Sequence, residues 1–192
     1  MPRQARAEAT RRRLLDATVE ALVACGYAGT TTQEVCRRAE VSRGTLLHHF
    51  PTRHDLLLAA LQHVLSERVA SFVADRQQEG DLTRAEFLQR MWAQWQGPAL
   101  VAWLELAVAS RTDEVLRDRM RPTMQAFDQL VLHAFAELRP FGELSPHAEP
   151  VVPFFVFALL NGLAVGQCYE QPGHQQPVLD FLVDLSDRLE AP

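Results

Sequence analysis

The chain of 192 residues is 47% hydrophobic and 22% charged, and its 11 Pro and 9 Gly are too few for a collagen-like or low-complexity polypeptide. Its three cysteines, Cys25, Cys36 and Cys168, are too widely spaced for a C-x-x-C metal pair and too few for a disulfide framework, which fits a reducing compartment. The net charge of −5 hides an asymmetry: residues 1–53 hold nine arginines against five acids, a net +4, and the remainder is −9. A basic head on an acidic body directs any polyanion contact to the first quarter of the chain.

The polar, basic N-terminus has no apolar stretch behind it. The most apolar run, 151–165, is interrupted by Pro153 and Asn161 and is too short for a bilayer. A soluble cytoplasmic protein with no membrane partner is expected. In chain order, Leu14, Leu15, Thr18, Ala21, Leu22 and Cys25 recur at helical spacing until Gly26 and Gly29 close a first helix. Thr31-x-x-Glu34 reads as a capping box opening a short second helix, and a turn at Glu40–Ser42 leads to a third that ends near Phe50 and Pro51. Thr52-x-x-Asp55 caps a long fourth helix with one wide apolar stripe, Leu56 to Val73. Residues 78–81 read as a turn, and Thr83-x-x-Glu86 caps a fifth helix. Gly97-Pro98 breaks it and starts a sixth, through Ala109. A seventh spans 113–138 with Pro122 inside, an eighth roughly 146–169, and a ninth about 176–189. The predicted fold is all-α, about nine helices, divided into a head (1–53) and a body (54–192).

Helices two and three form a helix-turn-helix. Its second helix turns Arg43, Thr45, His48 and His49 outward, while Val41, Leu46 and Phe50 face the core. In such a motif the second helix enters the major groove with its N-terminal residues at base edges, and an arginine there can bond bidentately to guanine. The run from Thr32 to Arg53, TQEVCRRAEVSRGTLLHHFPTR, resembles the signature of the TetR family of transcriptional regulators. The resemblance implies a homodimer gripping a palindromic double-stranded operator, a C-terminal domain that binds a small-molecule effector, and no cofactor or catalytic residue. It implies base reading by Gln33 and Arg43, phosphate or base-edge contacts by Thr32, Thr45, His48 and Arg53, and a DNA-facing set completed by Ser42, Gly44 and His49. Two positions depart from the pattern: Leu47 stands where a Tyr is common, and Glu40 replaces a turn Gly.

Trp92, Trp95, Trp103, Met124 and Phe127 are candidates to line the effector pocket, with Glu105 and Asn161 as polar groups able to orient a ligand. A helical aromatic stripe serves equally well as core. Helix eight is apolar around its whole circumference, and Gly162 and Gly166 at i, i+4 allow a close helix approach. A two-fold interface is therefore expected through Phe154, Phe155, Leu159, Gly162, Gly166, Leu182 and Leu185. Adjacent His48 and His49 project about 100° apart and have no cysteine or carboxylate at ligand spacing, so no metal is expected. The expected function is a ligand-responsive repressor released by a small hydrophobic effector. The competing reading is a helical-bundle scaffold or enzyme without DNA binding, but no G-x-S-x-G, H-E-x-x-H or phosphate-binding glycine motif is present.

Overall fold

A computed structural model describes residues 2–79, 83–142, 145–167 and 173–188. Among them are nine helices and no strand: α1 (Pro2–Gly29), α2 (Thr32–Ala39), α3 (Arg43–His49), α4 (Arg53–Glu79), α5 (Arg84–Trp95), α6 (Pro98–Ala109), α7 (Glu114–Leu138), α8 (Val152–Gln167) and α9 (Gln175–Asp187). The chain divides into two compact units, Met1–Glu67 with Gly97–Phe127 and Arg68–Gln96 with Asp128–Pro192.

In the first unit, α1 packs against α6 and α2. Its inward stripe, Leu14, Leu15, Thr18, Ala21 and Leu22, is fully or almost fully buried, and the Thr18 hydroxyl is satisfied by donating to the Leu14 carbonyl at 2.6 Å. On α6, Ala102 and Leu106 are fully buried. Each fully buried leucine in this unit contributes about 1.5–3 kcal/mol relative to an exposed one. Glycine ends α1 as expected, by a specific device: Gly26 adopts φ 67°, ψ −178°, which interrupts the helix one turn before Gly29. By length and composition, residues 53–74 of α4 could cross a bilayer; here Leu56, Leu57, Ala60, Leu61 and Leu65 are buried in the protein.

The helix α4 continues to Glu79, so residues 78 and 79, expected in a turn, are helical. No breaker occurs before Gly80, and residues 80–82 lie outside the described set. In the second unit, Thr83 and Glu86 form the full reciprocal capping box on α5. Phe87 is buried at its centre, with Phe72, Phe135 and Phe141 edge-on at centroid distances of 5.2–6.1 Å. The eighth helix starts later than expected, at Val152, because residues 146–150 form turns bounded by Pro146 and Pro150, while Pro153 fits the first turn of a helix. Val152, Val156, Leu160 and Ala164 form its buried stripe at i, i+4 spacing.

Candidate nucleic-acid interface

The helix-turn-helix is assembled from caps. The Thr31 hydroxyl accepts from the Glu34 amide at 3.1 Å and opens α2. The expected reciprocal half of this box is absent, because the Glu34 carboxylate instead accepts from Arg37 and Arg38 at 2.7–2.9 Å. Those bonds hold its carboxyl down at about 2. Ser42 opens α3 by accepting from the Thr45 amide at 3.1 Å, and the two hydroxyls lie 2.9 Å apart. Val35, Ala39, Leu46 and Phe50 are buried beneath the two helices. Gln33, Ser42, Arg43, Gly44 and His48 are exposed, and Thr32, Thr45 and His49 are half-buried. Arg37 and Arg38 are engaged by Glu34. Among the described residues no carboxylate pairs with Arg43.

Glu40 closes α2 at φ 53°, ψ 45°. A side chain in this left-handed region costs about 1–2 kcal/mol per residue, a cost glycine avoids. Glu40→Gly is expected to stabilise the chain by about 1 kcal/mol, raising Tm by roughly 2–4 °C in a thermal melt. An unchanged or lower Tm would show that the glutamate side chain offsets its backbone cost.

Arg53, expected as a phosphate contact, is anchored within the head. Its Nε donates to the Thr30 carbonyl at 2.8 Å, an Nη donates to the Tyr27 carbonyl, and the guanidinium lies 4.2 Å over the Tyr27 ring. It therefore ties down the carbonyls where α1 ends, adding a second donor to the Tyr27 carbonyl, which also accepts from the Thr30 amide at 3.3 Å. Glu105, expected as a ligand-orienting group, accepts from the Tyr27 amide at 2.7 Å beside Gly26. Asp113 caps α7 by accepting from the Leu116 amide at 2.8 Å, and it also accepts the Tyr27 hydroxyl at 2.7 Å and faces His54 at 3.2 Å. Arg119 donates to Asp55 at 3.0 Å, and Thr52 and Asp55 cap α4 reciprocally. Elsewhere on the first unit, Arg11 stacks over Phe50 at 5.6 Å and Arg12 lies 3.9 Å from Glu67.

The Leu116 amide, then the Tyr27 hydroxyl and His54, hold the Asp113 carboxyl down at about 2, below its usual 3.8. A depressed folded-state pKa stabilises the fold above the unfolded value, and that contribution is lost as pH falls through the folded one. Asp113→Asn should therefore flatten the fall in Tm between about pH 4 and pH 2. An equally steep acid limb in the variant would remove Asp113 from this role.

The second unit joins two of the expected effector residues: Trp95 Nε1 donates to Asn161 Oδ1 at 3.1 Å, and Phe157 packs edge-on against the Trp95 ring at 4.6 Å. Trp95 is buried and Trp92 half-buried. Trp103, Met124 and the buried Phe127 belong to the first unit. The second unit also carries a groove of about 620 Å³ lined by Leu132, Phe135, Phe141 and Pro153 among others. A smaller one of about 330 Å³ in the first unit is lined by Val19, His63, Val64 and Pro98 among others. Neither contains an expected effector residue.

Of the expected interface residues, Phe154 and Phe155 are 42% and 46% exposed. Gly162 is exposed, and a side chain added at Gly162 or Gly166 would meet nothing within 4 Å. Leu159 and Leu185 are half-buried. Leu182 is buried within its own unit, because α9 turns Leu179 and Leu182 toward the core. Phe181, one step away and about 100° around α9, is 66% exposed. Cys168 lies outside the described residues.

Two short capped helices at a tight turn, with an exposed arginine that has no carboxylate partner among the described residues opening the second, are the framework of a helix-turn-helix transcriptional regulator. Residues 14–60 match the family described as "Bacterial regulatory proteins, tetR family". The chain is 30% identical over 171 residues to the uncharacterized HTH-type transcriptional regulator Mb2936c of Mycobacterium bovis, covering 84% of each. It is 28% identical over 198 residues to the HTH-type transcriptional regulator BetI of Burkholderia mallei, covering 100% of this chain and 99% of that protein. The chain belongs to the TetR family of transcriptional regulators, which are not enzymes. A TetR-family regulator from Rhodococcus sp. superposes at a TM-score of 0.74 with 25% identity, covering 95% of this chain and all of that one. The fold is also that of a Saccharomonospora viridis regulator in complex with choline, at a TM-score of 0.65 and 19% identity over 94% of this chain and 95% of that one.

Proposed function

We propose that this regulator is a ligand-responsive repressor acting in the cytoplasm as a homodimer on a palindromic operator. Residues 1–53 read DNA, and residues 54–192 bind the effector and dimerise. The observation that carries the DNA half is the exposed start of α3, where Arg43 has no carboxylate partner among the described residues while Arg37 and Arg38 share the Glu34 carboxylate. Arg43 and Gln33 then read bases, and Thr32, Ser42, Gly44, Thr45, His48 and His49 contact backbone or base edges. Arg53 supports them from behind by fixing the end of α1. Selection of duplexes from a random pool tests this. Two inverted half-sites about one helical turn apart are expected, with affinity falling steeply as salt rises. Salt-insensitive binding, or a single half-site, would overturn it.

Dimerisation is supported by the apolar surface at Phe154, Phe155 and Phe181 and by the open approach at Gly162. In an isologous interface each substitution acts twice, so Phe155→Glu with Phe181→Asp is expected to yield a monomer in sedimentation at micromolar concentration. A dimer that survives both changes would relocate the interface.

The effector half is supported by Trp95 and Asn161, a polar handle set in an aromatic surround. An effector that favours the non-binding state by about 1–3 kcal/mol lowers operator affinity 5- to 150-fold, and operator DNA weakens effector binding by the same factor.

A further inference from the structure

Beside the Trp95–Asn161 pair stands a cation that the effector reading leaves unused. Arg68, on α4, lies with its guanidinium 4.3 Å over the Trp95 ring, and an Nη donates to the Gln94 carbonyl. A guanidinium carries five N–H donors, and one main-chain carbonyl leaves most of them open. Among the described residues no carboxylate pairs with Arg68. The contrast with five other arginines is chemical: Arg37, Arg38, Arg117, Arg119 and Arg121 each pair with an Asp or Glu. Arg68 is half-buried against an aromatic face, and desolvation, with no charge to offset it, lowers its pKa to about 10. The group is still cationic at neutral pH. Asn161 adds to the same surround, because its Oδ1 is taken by Trp95 and its Nδ2 offers two further donors.

We propose that Arg68, Trp95 and Asn161 form the polar end of the effector site, and that the effector is an organic carboxylate whose apolar body packs against the aromatic residues around them. This rests on the effector reading above and specifies its ligand class. The planar fork of Arg68 matches a carboxylate bidentately while its face stays stacked on Trp95, a combination lysine cannot reproduce. A quaternary ammonium such as choline, the ligand of the Saccharomonospora viridis regulator, would meet Arg68 as a like charge.

The full-length protein is titrated with benzoate, 4-phenylbutyrate and decanoate, with the neutral primary amide of each, and with choline, following tryptophan emission and Tm. At least one carboxylate is expected to bind about tenfold or more tighter than its amide, the worth of one charge-assisted bond, and choline not at all. Arg68→Gln should abolish that preference, Arg68→Lys should keep part of it, and Asn161→Asp should weaken the carboxylate by like-charge repulsion. Unaltered far-UV dichroism in Asn161→Asp keeps the test valid if Arg68→Gln fails to fold. Equal binding of acids and amides, preferential binding of choline, no binding by any acid, or a preference that survives Arg68→Gln would each overturn the proposal. Operator release is read separately on the selected duplex. An Arg68-dependent carboxylate that binds without releasing DNA leaves the site standing and overturns its role as the effector site. A neutral or cationic compound that releases DNA when no carboxylate does leaves the ligand-responsive reading standing and overturns the proposed ligand class.

Discussion

Arg43→Ala is expected to cost more operator affinity than any other single substitution in the head. An arginine bidentate to a guanine edge is worth about 1–3 kcal/mol of discrimination, and a dimer presents it twice. Two well-separated half-sites add, so the loss is roughly 2–6 kcal/mol, about 30-fold to more than 10⁴-fold. Base preference should relax at the matching position of each half-site. Arg37→Ala is the internal comparison. Its guanidinium is bonded to Glu34 on an exposed face, and surface pairs of this kind contribute little. Its removal should leave affinity nearly unchanged. Arg53→Ala should lower Tm, because it removes bonds to the Thr30 and Tyr27 carbonyls. Fluorescence anisotropy on a selected duplex at several salt concentrations separates these outcomes. If Arg43→Ala weakened all duplexes equally and reduced the salt slope by about one per half-site, Arg43 would be a phosphate contact.

Features written within a few residues were legible before the structure. The Thr83–Glu86 box, the Thr52–Asp55 pair, the Ser42–Phe50 helix and the break at Gly26 each depend on neighbours three or four positions away, where residue type fixes the hydrogen bond. Partner choice across the fold was not legible. Glu105 meets Tyr27 across 78 positions and Asp113 meets it across 86, separations for which no periodicity exists. Glu105 therefore read as a polar group able to orient a ligand, and the bonds from Arg53 back to the end of α1 had no sequence signal. Even locally the Thr31 box was half wrong, because two arginines on the same helix compete for Glu34 and form charge-assisted bonds. On α9 the apolar positions were evident, but which of Phe181 and Leu182 turns inward depends on the rotation of the helix about its axis.

Gly26→Ala is expected to be the most destabilising conservative change in the first unit. At φ 67°, ψ −178° the backbone lies in a region that only glycine occupies comfortably, and a side chain there costs about 1–3 kcal/mol. The new Cβ would also come within 2.9 Å of Glu105 Oε2. A glutamate carboxylate can swing aside, but this one accepts the Tyr27 amide at 2.7 Å. Moving it breaks a bond to a charged acceptor worth about 1.5–3 kcal/mol. Together the loss is roughly 3–5 kcal/mol, a fall in Tm on the order of 10 °C. The two parts separate in a double-mutant cycle. In a Glu105→Ala background the carboxylate is already gone, so Gly26→Ala should cost only the backbone part, about 1–3 kcal/mol. Equal costs in both backgrounds would mean that the approach to Glu105 carries no energy, and a neutral Gly26→Ala would mean that α1 is not broken there at all. The position matters beyond stability because Tyr27 to Thr30, just past the break, carry the carbonyls held by Arg53 and lead directly into Thr31, the cap of α2. A chain that relaxed Gly26 into regular helix would rotate those carbonyls away from Arg53 and redirect the entry to the helix-turn-helix. Operator affinity should therefore fall further in Gly26→Ala than in a core variant such as Leu22→Ala matched to it in Tm.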